Sequence, residues 1–246
     1  HVIAGGVEFS RETSNPTFSF GIGASGTSLL TPNSQMPFTG STDPRIISDT
    51  TGQTSAVYVL DTIKFNDNWQ LTAGGRWDQF DTDYDAVRFK GPATPFNSGE
   101  LDGNESFNQT DKEGSYRAAL VYKPTLESSI YLAGSTSFNP SAQGLSLLTT
   151  GRGLGLGNQH LDPEKNQSLE AGVKINLNEG ALSFAGSVFE ILKKNARVAD
   201  PNNPGFNTLG GEHQVRGISL DMNGMVGPGL FLTAGYSHLD TEVTKA

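Results

Sequence analysis

Apolar and polar residues alternate along much of this chain, most clearly between Leu161 and Pro201. Leu169, Ala171, Val173, Ile175 and Leu177 share one phase, and Ser168, Glu170, Gly172, Lys174 and Asn176 the other. A period of two puts successive side chains on opposite faces of a strand. Asn178-Glu179-Gly180 follows as a tight turn, and a second arm runs from Ala181 into a loop rich in Pro and Asn. The result is a hairpin with a short turn at one end and a long loop at the other.

The unit recurs. The pattern predicts about nine strands: Val2 to Arg11, Thr54 to Phe65, Trp69 to Asp83, Ser115 to Lys123, Ser129 to Phe138, the two arms of the hairpin, His213 to Met225, and Leu230 to Asp240. Short turns fall at Asn66-Asp67-Asn68, Pro124 to Ser128, Asn178 to Gly180 and Gly227-Pro228-Gly229. Thr13 to Gln53, Ala86 to Glu113, Asn139 to Lys165 and Ala199 to Glu212 are polar, rich in turn residues, and are expected to be long loops. In the second strand Asp61 shares a phase with Val57, Val59 and Ile63, which implies a bulge or a change of inward phase there. No stretch shows a clear 3.6 period.

Antiparallel strands joined alternately by tight turns and long loops describe an all-β fold, a segment of an antiparallel transmembrane β-barrel. Backbone groups in lipid must pair with a neighbouring strand, so such a sheet has to close. Nine strands with open edges are therefore part of a larger barrel. Phe65, Trp69, Tyr122, Tyr131 and Phe231 lie close to the short turns and are expected to form an aromatic girdle at one interface. A soluble β-sandwich shares the alternation but not the asymmetry of its connections.

Composition agrees with a wall one strand thick. The chain has 246 residues, 30 Gly, no Cys and a hydrophobic content of 35%. Without Cys there is no disulfide and no Cys-ligated metal. No apolar run reaches the ~18 residues of a transmembrane helix. The formal net charge of −9 argues against a nucleic-acid partner. The chain enters a strand at Val2 with neither a starting Met nor a signal peptide, and is expected to be a fragment of a longer protein.

Several motifs carry no chemistry. Gly21-Ile22-Gly23-Ala24-Ser25-Gly26 spells a dinucleotide motif, but no helix pattern follows it. Asp81, Asp83 and Asp85 are spaced like the start of a calcium loop, but Ala86 stands where such a loop needs Gly. The sequons at Asn104, Asn108 and Asn166 are set aside as chance, and the four His share no ligand spacing. Neither a cofactor nor a catalytic set can be assembled, so no enzyme activity is expected.

The second half carries a specific resemblance. Ser137–Leu148 (SFNPSAQGLSLL) precedes Leu161–Lys174, in which Pro163, Glu164, Glu170, Gly172 and Lys174 match a Pro-Glu-x-x-x-x-x-Glu-x-Gly-x-Lys strand opening. Phe189–Gly224 continues with Asn-Ala-Arg-Val, Asp-Pro and Val-Arg-Gly-Ile-Ser-Leu-Asp pieces, and Leu71–Asp85 and Ser115–Pro124 also match. Together these resemble TonB-dependent outer-membrane receptors, most of all the ferric-siderophore receptors of the catecholate branch. The resemblance implies a 22-stranded barrel filled by an N-terminal plug, residence in the bacterial outer membrane, and import of a ferric chelate energised by TonB. Residues 1–246 would be part of that barrel, without the plug and the TonB-binding segment. Other cargoes of the same family, such as a glycan or cobalamin, stay open, as do a passive porin and a barrel enzyme.

Ferric catecholates are anionic and aromatic, so Arg with Phe in the loops is suitable chemistry for them. The candidates are Arg45 with Phe18, Phe20 and Phe38; Arg88 with Lys90, Phe89 and Phe96; Arg152 with Phe138; and Arg197 with Phe206. Arg76 and Asp78 are expected to form an ion pair on the lumen wall.

Overall fold

The computed structural model describes residues 1–22, 30–36, 41–90, 100–140, 161–199, 202 and 207–245. Among them every regular element is a strand: β1 (Val2–Ser14), β2 (Thr17–Ile22), β3 (Ser41–Lys64), β4 (Trp69–Phe89), β5 (Leu101–Thr125), β6 (Ser128–Asn139), β7 (Glu164–Leu177), β8 (Leu182–Ala199), β9 (Asn207–Gly227) and β10 (Leu230–Lys245). They form one antiparallel sheet in the order β1-β3-β4-β5-β6-β7-β8-β9-β10, with β2 also on β3. β1 and β2 run along the same side of β3, interrupted at Asn15-Pro16. Proline has no N–H for the ladder, so one stave is cut in two. The nine expected strands thus become ten elements on nine staves.

Residues directly opposite each other on an antiparallel ladder point to the same side of the sheet. The register therefore sorts the side chains of the belt. One unbroken row runs Ile63–Leu71–Leu120–Leu132–Ala171–Val188–Ile218 across seven strands. These side chains are apolar yet open: Leu132 is 51% and Val188 54% exposed. The apolar stretch on this outward face runs from Trp69 to Trp77 in β4 and from Leu169 to Leu177 in β7. That is about nine residues each, the length a tilted strand needs to cross a bilayer core. The opposite face of the same rungs carries Thr72, Arg76, Arg117, Glu170, Lys174 and Asp221. The polar face is concave, since Phe138 and Pro140 at the end of β6 share a cleft with β1, β3 and β4 across the intervening β5.

All four short turns lie at one end of the sheet. In the β3–β4 turn Asn66 Oδ1 accepts the N–H groups of Asn68 and Trp69. The β7–β8 turn holds Asn178, Glu179 and Gly180 at φ of 51°, 58° and 90°, the left-handed geometry a tight hairpin requires. Trp69 and Tyr122 stack outward beside these turns, ring centroids 4.6 Å apart. Tyr131 and Phe231 do not join them. The register puts both on the concave face, Tyr131 opposite Gly172. There the Tyr131 hydroxyl donates to Glu170, and Lys174 Nζ sits 5.6 Å from the ring centroid. Asp61 causes no bulge either: β3 keeps its register through it, and its carboxylate meets His1 Nδ1 at 3.0 Å.

The largest departure from expectation is at the other end. Much of the two stretches expected to be long loops, Thr13 to Gln53 and Ala86 to Glu113, is strand. β3 begins at Ser41, β4 runs on to Phe89 and β5 starts at Leu101. Their pairing continues rung by rung, from Lys64↔Gln70 up to Ile46↔Arg88 and on to Arg88↔Gly103. The wall therefore rises well past the apolar belt as a tall ladder.

Substitutions on the two faces test this arrangement. Val173→Arg, in the middle of the outward belt, is expected to cost about 2–4 kcal/mol in a lipid-refolded full-length protein. Ser183→Arg on the concave face of β8 should cost far less; urea titration of the folded band on an unheated gel reads both. A β-carbon at Gly172 would lie 2.5 Å from the Tyr131 hydroxyl. Gly172→Val is accordingly expected to destabilise by about 1–3 kcal/mol through displacement of that ring, with most of the loss absent in a Tyr131→Ala background.

Candidate ligand-binding site at the long-loop end

Past the belt the polarity of the wall inverts. On β4 the outward positions become Asp81, Asp83 and Asp85, while Phe80, Tyr84 and Ala86 turn inward. Ile46 of β3 and Phe107 of β5 join them in a buried cluster, Tyr84 being only 1% exposed, and Phe18 and Phe80 pack against it. The three Asp are side chains of a regular strand and not of a calcium loop. Asp81 accepts from Thr110 Oγ1 and Gln79 Nε2, and these bonds hold its pKa below the usual carboxylate value. Among the described residues no group of three His, Asp or Glu is placed to hold a metal ion.

Beside the cluster lies an open cleft of about 580 Å³ on the concave face. Glu8 and Glu12 of β1 form one side, Thr50 and Thr54 of β3 and Phe80 and Thr82 of β4 the floor, and Phe138 and Pro140 the far side. At its lower end Arg76 is held by two carboxylates, Asp78 at 2.7 Å and Glu8 at 2.8 Å. This is the expected wall ion pair with a third member.

The candidate residues from sequence fall into three groups. Phe38, Phe96, Arg152 and Phe206 lie outside the described residues, and of Phe20 only the strand position is described. Arg45 and Arg88 are at the top of the ladder: Arg45 is buried and donates to the Lys90 carbonyl, and Arg88 meets Glu105 at 2.6 Å. Phe89 ends β4 above them, and Phe18 packs on the buried cluster. Lys90 pairs with Glu100 at 3.0 Å. Arg197 ties β8 to the end of β6, Nη2 donating to the Pro140 carbonyl at 3.3 Å. Among the described candidates Phe138 is the one that lines the cleft. The sequence reading missed Glu8, Glu12, Thr50, Phe80 and Thr82. Their signal is the apolar phase crossing from Trp77 to Phe80, which marks where β4 leaves the belt.

Glu164 anchors the rim beside the cleft. Its Oε2 meets Lys193 Nζ at 2.9 Å, and its Oε1 accepts the Arg197 N–H at 3.2 Å. Asn195 bulges β8 next to this contact, in the left-handed region at φ 55°. Burial pushes the Glu164 pKa up, but Lys193 and the Arg197 amide outweigh it and leave the carboxyl below its ordinary value.

The TonB dependent receptor-like β-barrel family model matches residues 3–246. The chain belongs to this family. The probable TonB-dependent siderophore receptor PiuA of Acinetobacter baumannii is 32% identical over 219 residues, 89% of this chain and 28% of the relative. The metal-pseudopaline receptor CntO of Pseudomonas aeruginosa is 32% identical over 190 residues, 77% of this chain and 24% of the relative. The crystal structure of A. baumannii PiuA superposes with a TM-score of 0.81 at 27% identity, covering 99% of this chain and 36% of that one. The Escherichia coli ferric-catecholate receptor Fiu gives the same TM-score at 18% identity, over 98% of this chain and 35% of that one, and shows the fold alone. The chain thus spans about a quarter to a third of these relatives. As a member of the TonB-dependent receptor family it is a β-barrel segment of the bacterial outer membrane, from a family of transport receptors and not of enzymes.

The Glu164 anchor should show in acid. Its folded pKa lies below the unfolded value of roughly 4.3, so its contribution is complete above that value and is lost as pH falls through the lower folded one. Glu164→Gln is expected to remove about 1–3 kcal/mol at neutral pH and to flatten the acid limb of the unfolding profile, followed by tryptophan fluorescence.

Proposed function

We propose that the full-length protein is a TonB-dependent outer-membrane receptor that takes up a ferric siderophore. The short turns face the periplasm, and the tall β3–β5 ladder and its cleft stand on the outer surface. Further strands close the barrel, a plug fills it, and TonB engages a segment of the protein beyond residues 1–246. The observation that carries this is the match to the siderophore receptor PiuA, in sequence over 89% of the chain and in fold over 99%. The apolar outward belt and polar concave face supply the physical support, because a closed wall of this kind separates lipid from a polar lumen.

Within that reading a catecholate chelate is the ligand class to test first. The sequence resemblance pointed to it, and Fiu, named as a catecholate siderophore receptor, is 25% identical over 96% of the chain. A second reading within the family is a receptor for another metal chelate, supported by the 32% identity to the metal-pseudopaline receptor.

Deletion of the gene should abolish uptake of a radio-iron-labelled ferric catecholate under iron limitation, and expression should rise when iron is withheld. Uptake should also stop when TonB is removed. Unchanged iron uptake together with lost cobalamin or glycan uptake would move the protein to another cargo. Passive, TonB-independent entry would make it a porin.

A further inference from the structure

The cleft at the top of the wall has a chemistry of its own. An anionic chelate calls for free cations, yet the cation in this cleft is neutralised twice over, Arg76 lying between Asp78 and Glu8. Among the described residues Glu12 has no ion-pair partner, so the mouth carries an unpaired carboxylate. Counting Glu8, Glu12 and Asp78 against Arg76, the cleft is negative.

Its other surfaces fit the same ligand. Phe80 and Phe138 are both among its lining residues, and an aromatic ring attracts a cation over its face. Thr50 and Thr82 line it too, 6% and 2% exposed, and among the described residues their hydroxyls have no hydrogen-bond partner. A buried hydroxyl without a partner costs free energy, which an arriving donor or acceptor recovers. Aromatic rings, a free carboxylate and unsatisfied hydroxyls at one place form the receptor for a protonated amine on a polar arm.

We propose that this cleft binds a cationic, amine-bearing arm of the imported chelate, and that it selects against chelates ending in a carboxylate. This deepens the receptor reading and rests on it. The metal-binding part of the ligand is then held elsewhere in the lumen, and the cleft reads the periphery.

The test uses the full-length receptor in outer-membrane vesicles and three ferric catechol chelates that differ only in their arm, ending in an ammonium, a hydroxyl or a carboxylate. The ammonium chelate is expected to bind about tenfold more tightly than the carboxylate one. In the Glu8→Gln/Glu12→Gln double variant the difference should shrink to about twofold, and Phe80→Leu should weaken the ammonium chelate selectively. Glu127→Gln, in the β5–β6 turn at the far end, should leave the preference intact, and unheated gel mobility checks that each variant is folded. Equal or tighter binding of the carboxylate chelate to the wild type overturns the proposal, as does a preference that survives the double variant. Binding of none of the three to folded receptor overturns the catecholate reading as well.

Discussion

Backbone hydrogen bonding in an apolar layer is the constraint on which the rest of this structure depends. No water is available there, so each N–H and C=O must be met by the next strand. The ladder therefore runs without a register shift through the belt from β1 to β3 and β4, and from β6 through β7 to β8. Register in turn decides which residues face lipid, because a slip of one residue would turn every side chain to the other face. The same rule makes this a part of a wall: among the described residues β1 and β10 each pair on one side only.

Solvent on the two sides then explains the change of polarity along the strands. Within the belt the outside is hydrocarbon and the inside polar, so Leu71 and Ala73 point out and Thr72 and Arg76 point in. Above it the outside is water, so Asp81, Asp83 and Asp85 point out, and Tyr84, Ala86 and Phe107 pack inward. One strand thus serves two environments by exchanging the roles of its faces. The cleft sits where the roles change, which is why charged, hydroxyl and aromatic side chains meet there.

Electrostatics at this rim restrain the arginines that aromatic-anion recognition would use. Arg88, Arg76 and Lys90 each have a carboxylate within 3 Å, and Arg45 is buried on a carbonyl. Such pairing strengthens a tall, thin ladder that has little core, and it leaves Glu12 and the hydroxyls of Thr50 and Thr82 as the open chemistry of the cleft. Glu164 performs a related task beside it, holding β8 to the start of β7 through Lys193 and the Arg197 amide.

The sequence by itself determined the strands of the belt, the short turns, the lumen-facing ion pair and the family. Each rests on local information: a period of two, turn residues such as Asn178-Glu179-Gly180, or a motif such as Pro163 to Lys174. It did not reveal the upper ladder, because a search for one apolar phase ends at Trp77, where the phase switches to Phe80. It also misplaced Tyr131, whose nearness to a turn says nothing about its face until Gly172 is seen opposite it. Only the tertiary structure brought Phe138 to a cleft with Glu8, Glu12 and Phe80, from strands far apart in sequence. That depends on the curvature of the whole sheet, which no local pattern carries.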